Sequence, residues 1–292
     1  MENRFSQFHP LVSFLFYLGA ISLFILMLHP IFLGIGFVVI LLINFAHDRF
    51  EGLKHWSFFI VTSFLLMVVL NPLFNERGLH VLFKIANHRF TLESVMYGGM
   101  NALSLIGVLA IFISYNVIMK PNKLLFLFSK FLPQFAVLLM LTLRFIPLMR
   151  RRMEEISVIQ KSKGISVTNG KWKEKVKTGM LFVQALLTFS LEEAIQTADS
   201  MKARGFGEER RSSYEYFRFK TADVFAMVYL IIIFMVILYG RNSGYGFLTV
   251  YPVLESSKLT LLDSTTLVFF LLFLSFPLLV EAGGWFRWHI SN

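Results

Sequence analysis

LVSFLFYLGAISLFILMLHPIFLGIGFVVILLINFA, the stretch from Leu11 to Ala46, contains no Asp, Glu, Lys or Arg. A bilayer core of roughly 30 Å is crossed by about 20 apolar residues in a helix, so this run holds two spans rather than one. His29-Pro30 divides it, because proline fixes its own backbone and restricts the residue before it. Segments 11–28 and 31–46 are therefore expected to meet in a tight turn. Further span-length segments lie at 56–72, 94–118, 222–240 and 264–284. The first of these closes on Asn71-Pro72-Leu73-Phe74, where proline is expected to stop the helix. Residues 75–93 are polar and mixed in charge, and read either as a short hairpin or as a helix.

Composition points the same way. The 292 residues are 56% hydrophobic and include 34 phenylalanines, with a mean hydropathy of +0.65, too apolar for an ordinary soluble domain. The fold class expected is an all-α integral membrane protein with about six transmembrane helices. The absence of cysteine excludes disulfides, thiolate metal sites and a cysteine nucleophile. Only Arg4 precedes the first apolar run and no small-residue cleavage pattern follows it, so that run reads as a retained span rather than a signal peptide.

Charge divides the chain into segments 1–118, 119–220 and 221–292. The middle one holds 19 of the 28 Lys and Arg residues against nine Asp and Glu, an excess of ten that equals the net charge of the whole chain. Basic segments beside spans stay cytoplasmic and contact anionic lipid, a better reading here than nucleic acid. With six flanking spans, both termini are expected in the cytoplasm too. Within this segment Pro121 opens a short amphipathic piece, Asn122 to Phe131, with Leu124, Leu125, Phe128 and Phe131 on one face, suited to a membrane surface.

Two long helical patterns follow. Gln134 to Lys163 is apolar in its first half and charged in its second, and should leave the bilayer obliquely, with Pro147 as a site of bending. Arg150 with Glu154, and Arg151 with Glu155, have the i,i+4 spacing of helix-surface ion pairs. From Trp172 to Arg204, Met180, Val183, Leu187, Leu191, Ala194 and Ala198 form one face, while Gln184, Glu192, Gln196, Asp199 and Lys202 form the polar one. The two helices are expected to pack against each other.

Both patterns end alike: Lys161-Ser162-Lys163-Gly164-Ile165 and Lys202-Ala203-Arg204-Gly205-Phe206. Each reads Lys, small residue, cation, glycine, apolar residue, and glycine commonly closes a helix in the left-handed conformation. Attraction between a cation and the helix dipole or anionic lipid accounts for the charge, but not for the repeat. A cation among small residues at an accessible helix end can enter a groove and meet a carboxylate, which makes these ends candidate docking sites.

Catalytic readings find less support. Gly170-Lys171 lacks the glycine-rich cradle and following hydroxyl of a nucleotide-binding loop. The seven histidines, His9, His29, His47, His55, His80, His88 and His289, show no helical metal-ligand spacing. Glu154-Glu155 and Glu192-Glu193 are adjacent, so each pair points to different helix faces. Asp223 and Glu281, near span ends, read as interfacial rather than as a proton relay.

The paired strings resemble the Ala-Arg-Gly signatures of the transmembrane T component of energy-coupling factor (ECF) transporters, bacterial importers of vitamins and transition-metal ions. The similarity covers most of residues 9–207. It takes in His9-Pro10-Leu11-Val12, Asn71-Pro72-Leu73-Phe74, Leu143-Arg144-Phe145-Ile146-Pro147, Gln160-Lys161-Ser162-Lys163-Gly164 and Lys202-Ala203-Arg204-Gly205-Phe206-Gly207. The second signature matches fully at Ala203, Arg204 and Gly205; the first departs, with Ser162 for alanine and Lys163 for arginine, which keeps the charge but loses the planar bidentate fork.

By this resemblance residues 119–220 form long cytoplasmic coupling helices seated in grooves of two ABC-type ATPase subunits, while other faces hold a small substrate-binding membrane subunit. Ser162, Lys163 and Gly164 would dock on one ATPase and Ala203, Arg204 and Gly205 on the other, Lys163 and Arg204 each facing an acidic residue. The chain itself would bind no cofactor, ATP and Mg belonging to the partner ATPases, and would lie in the bacterial cell membrane. The membrane subunit of an ordinary ABC importer uses a single coupling loop, which the duplication argues against. A membrane-embedded lipid or isoprenoid enzyme would need paired acids or a histidine cluster, and neither is recognisable in the sequence.

Overall fold

A computed structural model describes residues 4–85, 88–129, 132–163, 172–207, 217–251 and 259–290; of these, the side chains of residues 83, 85, 88, 174 and 284–290 are left aside. The chain divides into two compact units, residues 1–124 with 217–292, and residues 125–216.

In the first unit a 3-10 turn, Arg4–Gln7, leads into α1 (Pro10–Leu26) and α2 (Pro30–Asp48). Both helices begin with the same device. The imidazole Nδ1 of His9 accepts the N–H of Leu11 at 3.2 Å, and that of His29 accepts the N–H of Ile31 at 3.3 Å, while proline takes the first helical position, where no N–H is needed. The His29-Pro30 step is therefore the turn expected from sequence. At the other end of α2, Arg49 (φ 46°) and Phe50 (φ 67°) adopt left-handed backbone and break the chain into α3 (Glu51–His55).

The next helix, α4 (Ser57–Phe74), runs through Pro72 instead of stopping at it. Pro72 lies in the last turn, so the bond forfeited by its missing N–H costs the helix little length. The ambiguous 75–93 segment is an antiparallel hairpin, β1 (Val81–Ile85) with β2 (His88–Thr91). It feeds α5 (Leu92–Ile118), capped by Thr91 Oγ1, which accepts the N–H of Ser94 at 3.3 Å. At 27 residues α5 is about 40 Å long, and α1, α2 and α4 pack along it.

The chain returns to this unit with α9 (Thr221–Asn242), α10 (Leu261–Leu274) and α11 (Phe276–Ile290). The expected 264–284 span is α10 and α11 bent by 54°. Pro277 explains the break, since it cannot donate to Phe273 and its ring crowds that carbonyl.

Phe16, Phe24, Phe32, Phe270 and Phe273 fill the core of the unit. Several polar groups inside are paired, as hydrocarbon surroundings favour. Asn44 donates to the carbonyls of Ile40 and Ala110, and Ser104 donates to that of Phe24 at 2.7 Å. A polar chain links four helices: the Tyr17 hydroxyl to Ser114 Oγ (2.8 Å), Ser114 Oγ to His47 Nδ1 (2.8 Å), and His47 Nε2 to Glu281 Oε1 (3.5 Å). Glu281, near a span end, thus approaches His47 of α2.

α6 (Pro121–Ser129) crosses from one unit to the other; Phe131, expected on its apolar face, lies outside the described residues. The second unit contains α7 (Pro133–Ser162) and α8 (Trp172–Ala203). Helix α7 passes unbroken through Pro147. Among the described residues, α2, α4, α5, α7, α8 and α9 are long and apolar enough to cross a membrane, and α10 with α11 would make a seventh. Helix α1, with 17 residues, falls just short of that length.

Candidate docking site at two helix ends

Helices α7 and α8 pack on each other as expected, through contacts the sequence pattern did not single out. Arg152 of α7 places its guanidinium 3.9 Å above the ring of Phe189 of α8, a favourable use of a cation on an aromatic face. Arg152 also holds Glu155 at 2.6 Å. Glu155 was expected to pair with Arg151; the i,i+3 neighbour takes it instead, while Arg150 and Glu154 keep the expected i,i+4 relation at 3.8 Å. Among the described side chains of α8, Phe182 is buried. Met180, Val183, Leu187 and Leu191, the face read as apolar from spacing, are each at least half exposed. That face is not what holds α8 to α7.

The two helix ends differ in construction. Helix α7 finishes with Ser162, whose hydroxyl donates back to the carbonyl of Ile159 at 2.7 Å, and with Lys163 as its cap. The Lys163 N–H bonds the carbonyls of Gln160 and Lys161, and its backbone keeps φ −86°. Its side chain is exposed; Gly164 lies outside the described residues.

Helix α8 ends in a Schellman closure. The Gly205 N–H donates to the carbonyl of Lys202, and the Phe206 N–H to that of Met201, each at 3.0 Å. This pattern needs a left-handed residue at Gly205, whose φ is +72°. Glycine is therefore required by the geometry, and the closure leaves Ala203 and Arg204 exposed at the tip. Arg204 presents its guanidinium beside a methyl group and a residue without a side chain, so little bulk obstructs an approaching carboxylate. Its positive charge also sits at the end of the helix dipole that favours it.

Among the described residues no three His, Asp or Glu side chains come together as metal ligands do. An apolar recess of about 510 Å³, lined by Leu132, Pro133, Gln134, Phe135 and Leu138, lies at the start of α7, the opposite end from Lys163.

Asp223 lies near a span end, in the first turn of α9. It is buried within the protein at 3% exposure, accepting the N–H of Lys220 at 2.8 Å and that of His9 at 3.0 Å. Its position in the first turn of α9 was the available signal, since acids there commonly reach back to free N–H groups. The long-range bond to His9 left no trace in local pattern.

These features define a class: a multi-pass, all-α membrane protein in which two long half-polar helices form a unit of their own. The family model described as CbiQ, cobalt transport protein, matches residues 2–214, a stretch that includes both helix ends. The chain belongs to this family of transport proteins. Similar proteins include three called energy-coupling factor transporter transmembrane protein EcfT. That of Listeria innocua is 30% identical over 101 residues, 34% of this chain and 38% of the relative. That of Staphylococcus aureus is 24% identical over 194 residues, 62% and 72% of the respective chains. That of Macrococcus caseolyticus is 27% identical over 227 residues, 72% and 83%.

Proposed function

We propose that this chain is the transmembrane scaffold of an ECF-type importer for a vitamin or a transition-metal ion, and that it couples ATP hydrolysis in two partner ABC ATPases to movement of a small substrate-binding membrane subunit. The observation that carries this reading is the exposed Arg204 on the glycine-closed end of α8, repeated in looser form by Lys163 at the end of α7. The names of the similar proteins support it. In this scheme each cation meets an acidic residue in the groove of one ATPase, and closure of the ATPase pair around ATP and Mg displaces α7 and α8. The chain performs no catalysis; both helix ends and the termini lie on the cytoplasmic side of a bacterial membrane, a reading that the basic middle segment supports. Substrate selection belongs to the other membrane subunit.

Affinity purification in mild detergent from the native cell tests the reading. The wild type should bring down ABC ATPases and a small membrane protein, while Lys163→Glu/Arg204→Glu should lose the ATPases. Retention of the ATPases by the double reversal would overturn the docking assignment. A stable wild-type preparation without any ATPase would overturn the scaffold.

A further inference from the structure

The chain leaves the first unit after Leu124 and returns to it at Phe217, so these are the two covalent connections to α7 and α8. Both are fastened to one short segment at the start of the chain. On the outgoing side, Lys123 Nζ donates to the carbonyl of Ser6 at 2.6 Å, across 117 positions of sequence, and to that of Ile118 at 3.2 Å. On the returning side, Asp223 accepts the N–H of His9, and the imidazole of His9 stacks on Phe219 with ring centres 3.9 Å apart. The segment is itself anchored in the bundle: Phe5 is fully buried, stacked on His47 of α2 and edge-on to Phe16 of α1 and Phe276 of α11.

We propose that the Arg4–His9 segment is a positioning clamp that delivers displacement of the ATPase-docking unit to the membrane bundle, with Lys123 and Asp223 as its positioning residues. The inference rests on the scaffold reading above. Its physical basis is that charge-assisted hydrogen bonds are stronger and stiffer than neutral ones, and that one charged side chain grips each connection. A connection held within a few residues of the docking unit transmits a push; a slack one absorbs it. Neither residue belongs to the helix ends that would dock.

The absence of cysteine allows unique spin-label sites. In the ATPase-bound complex in lipid nanodiscs, labels at Asn116→Cys and Ser200→Cys report on the two units together, and labels at Asn116→Cys and Asn242→Cys report on the first unit alone. The wild type should show a shift of both distances between nucleotide-free and MgATP–vanadate states. Lys123→Met/Asp223→Asn should hydrolyse ATP at the wild-type rate, keep both nucleotide-free distances and the shift between the units, and lose the shift within the first unit; Lys123→Arg, which retains the donors, should keep both shifts. A wild-type shift within the first unit of the double variant overturns the clamp while leaving the scaffold standing. Failure of the wild type to bind ATPases overturns the scaffold, and the clamp with it. Should Asp223→Asn disturb the nucleotide-free distance within the first unit, Lys123→Met alone decides by the same readout.

Discussion

Phe24 of α1 packs its ring against the bare backbone of Gly107 in α5, so closely that a methyl group on Gly107 would collide with the ring. The same ring reaches Gly36 of α2, where an added Cβ would lie 3.0 Å from it. Two glycines on different helices thus make room for one fully buried aromatic, the way small residues let membrane helices approach. Gly107→Ala should therefore destabilise the bundle by about 1–3 kcal/mol, the usual penalty for overpacking. Thermal unfolding in detergent checks this, and Phe24→Leu in the same chain should recover part of the loss. Equal melting temperatures for wild type and Gly107→Ala would show that the ring has room to move.

Glu93, with no exposed surface, holds down the chain before the hairpin: its carboxylate accepts N–H groups of Leu79 and His80 and lies 2.7 Å from His80 Nδ1. Glu93→Ala removes the acceptor shared by these two N–H groups, which belong to exposed residues and can turn to water, a loss of roughly 0.5–1.5 kcal/mol. Amide exchange across residues 77–91 should accelerate in this variant while α5 beyond its first turn keeps its protection. Unchanged exchange at Leu79 and His80 would remove the role assigned to Glu93.

Burial lowers the pKa of His9, with the charge of Asp223 opposing it in part, and burial likewise lowers that of His29 against the opposing charge of Asp263. Both imidazoles then bind a proton less tightly folded than unfolded. Below the ordinary value of 6.5 the unfolded chain takes up more protons, so stability should be full above that pH and fall as acid is added. His9→Asn/His29→Asn keeps a capping acceptor at both helix starts and should flatten the slope of melting temperature against pH between about 6.5 and 5. An identical slope would place the acid sensitivity elsewhere.

What local chemistry decides was legible in the sequence. His29-Pro30 announced a turn, and Gly205 announced a helix end, because each imposes its geometry on its own few residues. Relationships that depend on distant partners were not. Arg151 and Arg152 both lie within reach of Glu155, and only the ring of Phe189 on the neighbouring helix favours Arg152. The bond that Asp223 accepts from His9 spans 214 positions, which no local pattern announces. The bend before α11 was a local signal passed over: Pro277, in an otherwise continuous apolar run, carries the same steric message as Pro30. Pro72 and Pro147 show why proline alone does not decide, since both sit inside continuous helices.

The two candidate docking ends should not be equal. Arg204 offers a planar fork that can bond a carboxylate through two parallel N–H groups, on a tip fixed by the Gly205 closure; Lys163 offers a single ammonium on a flexible stem. Arg204→Glu should thus weaken ATPase association more than Lys163→Glu, by about tenfold or more if the facing carboxylate is buried in the complex. Arg204→Lys should fall between wild type and Arg204→Glu, because it keeps charge and gives up the fork. Gly205→Ala tests the closure separately. A methyl at φ +72° costs roughly 1 kcal/mol and should weaken docking by loosening the tip, with faster amide exchange at Gly205 and Phe206. Co-purification titrated with salt ranks all four variants. Equal losses for the two charge reversals would remove the distinction between the ends, whereas Lys163→Glu as the more damaging change would place the main anchor on α7.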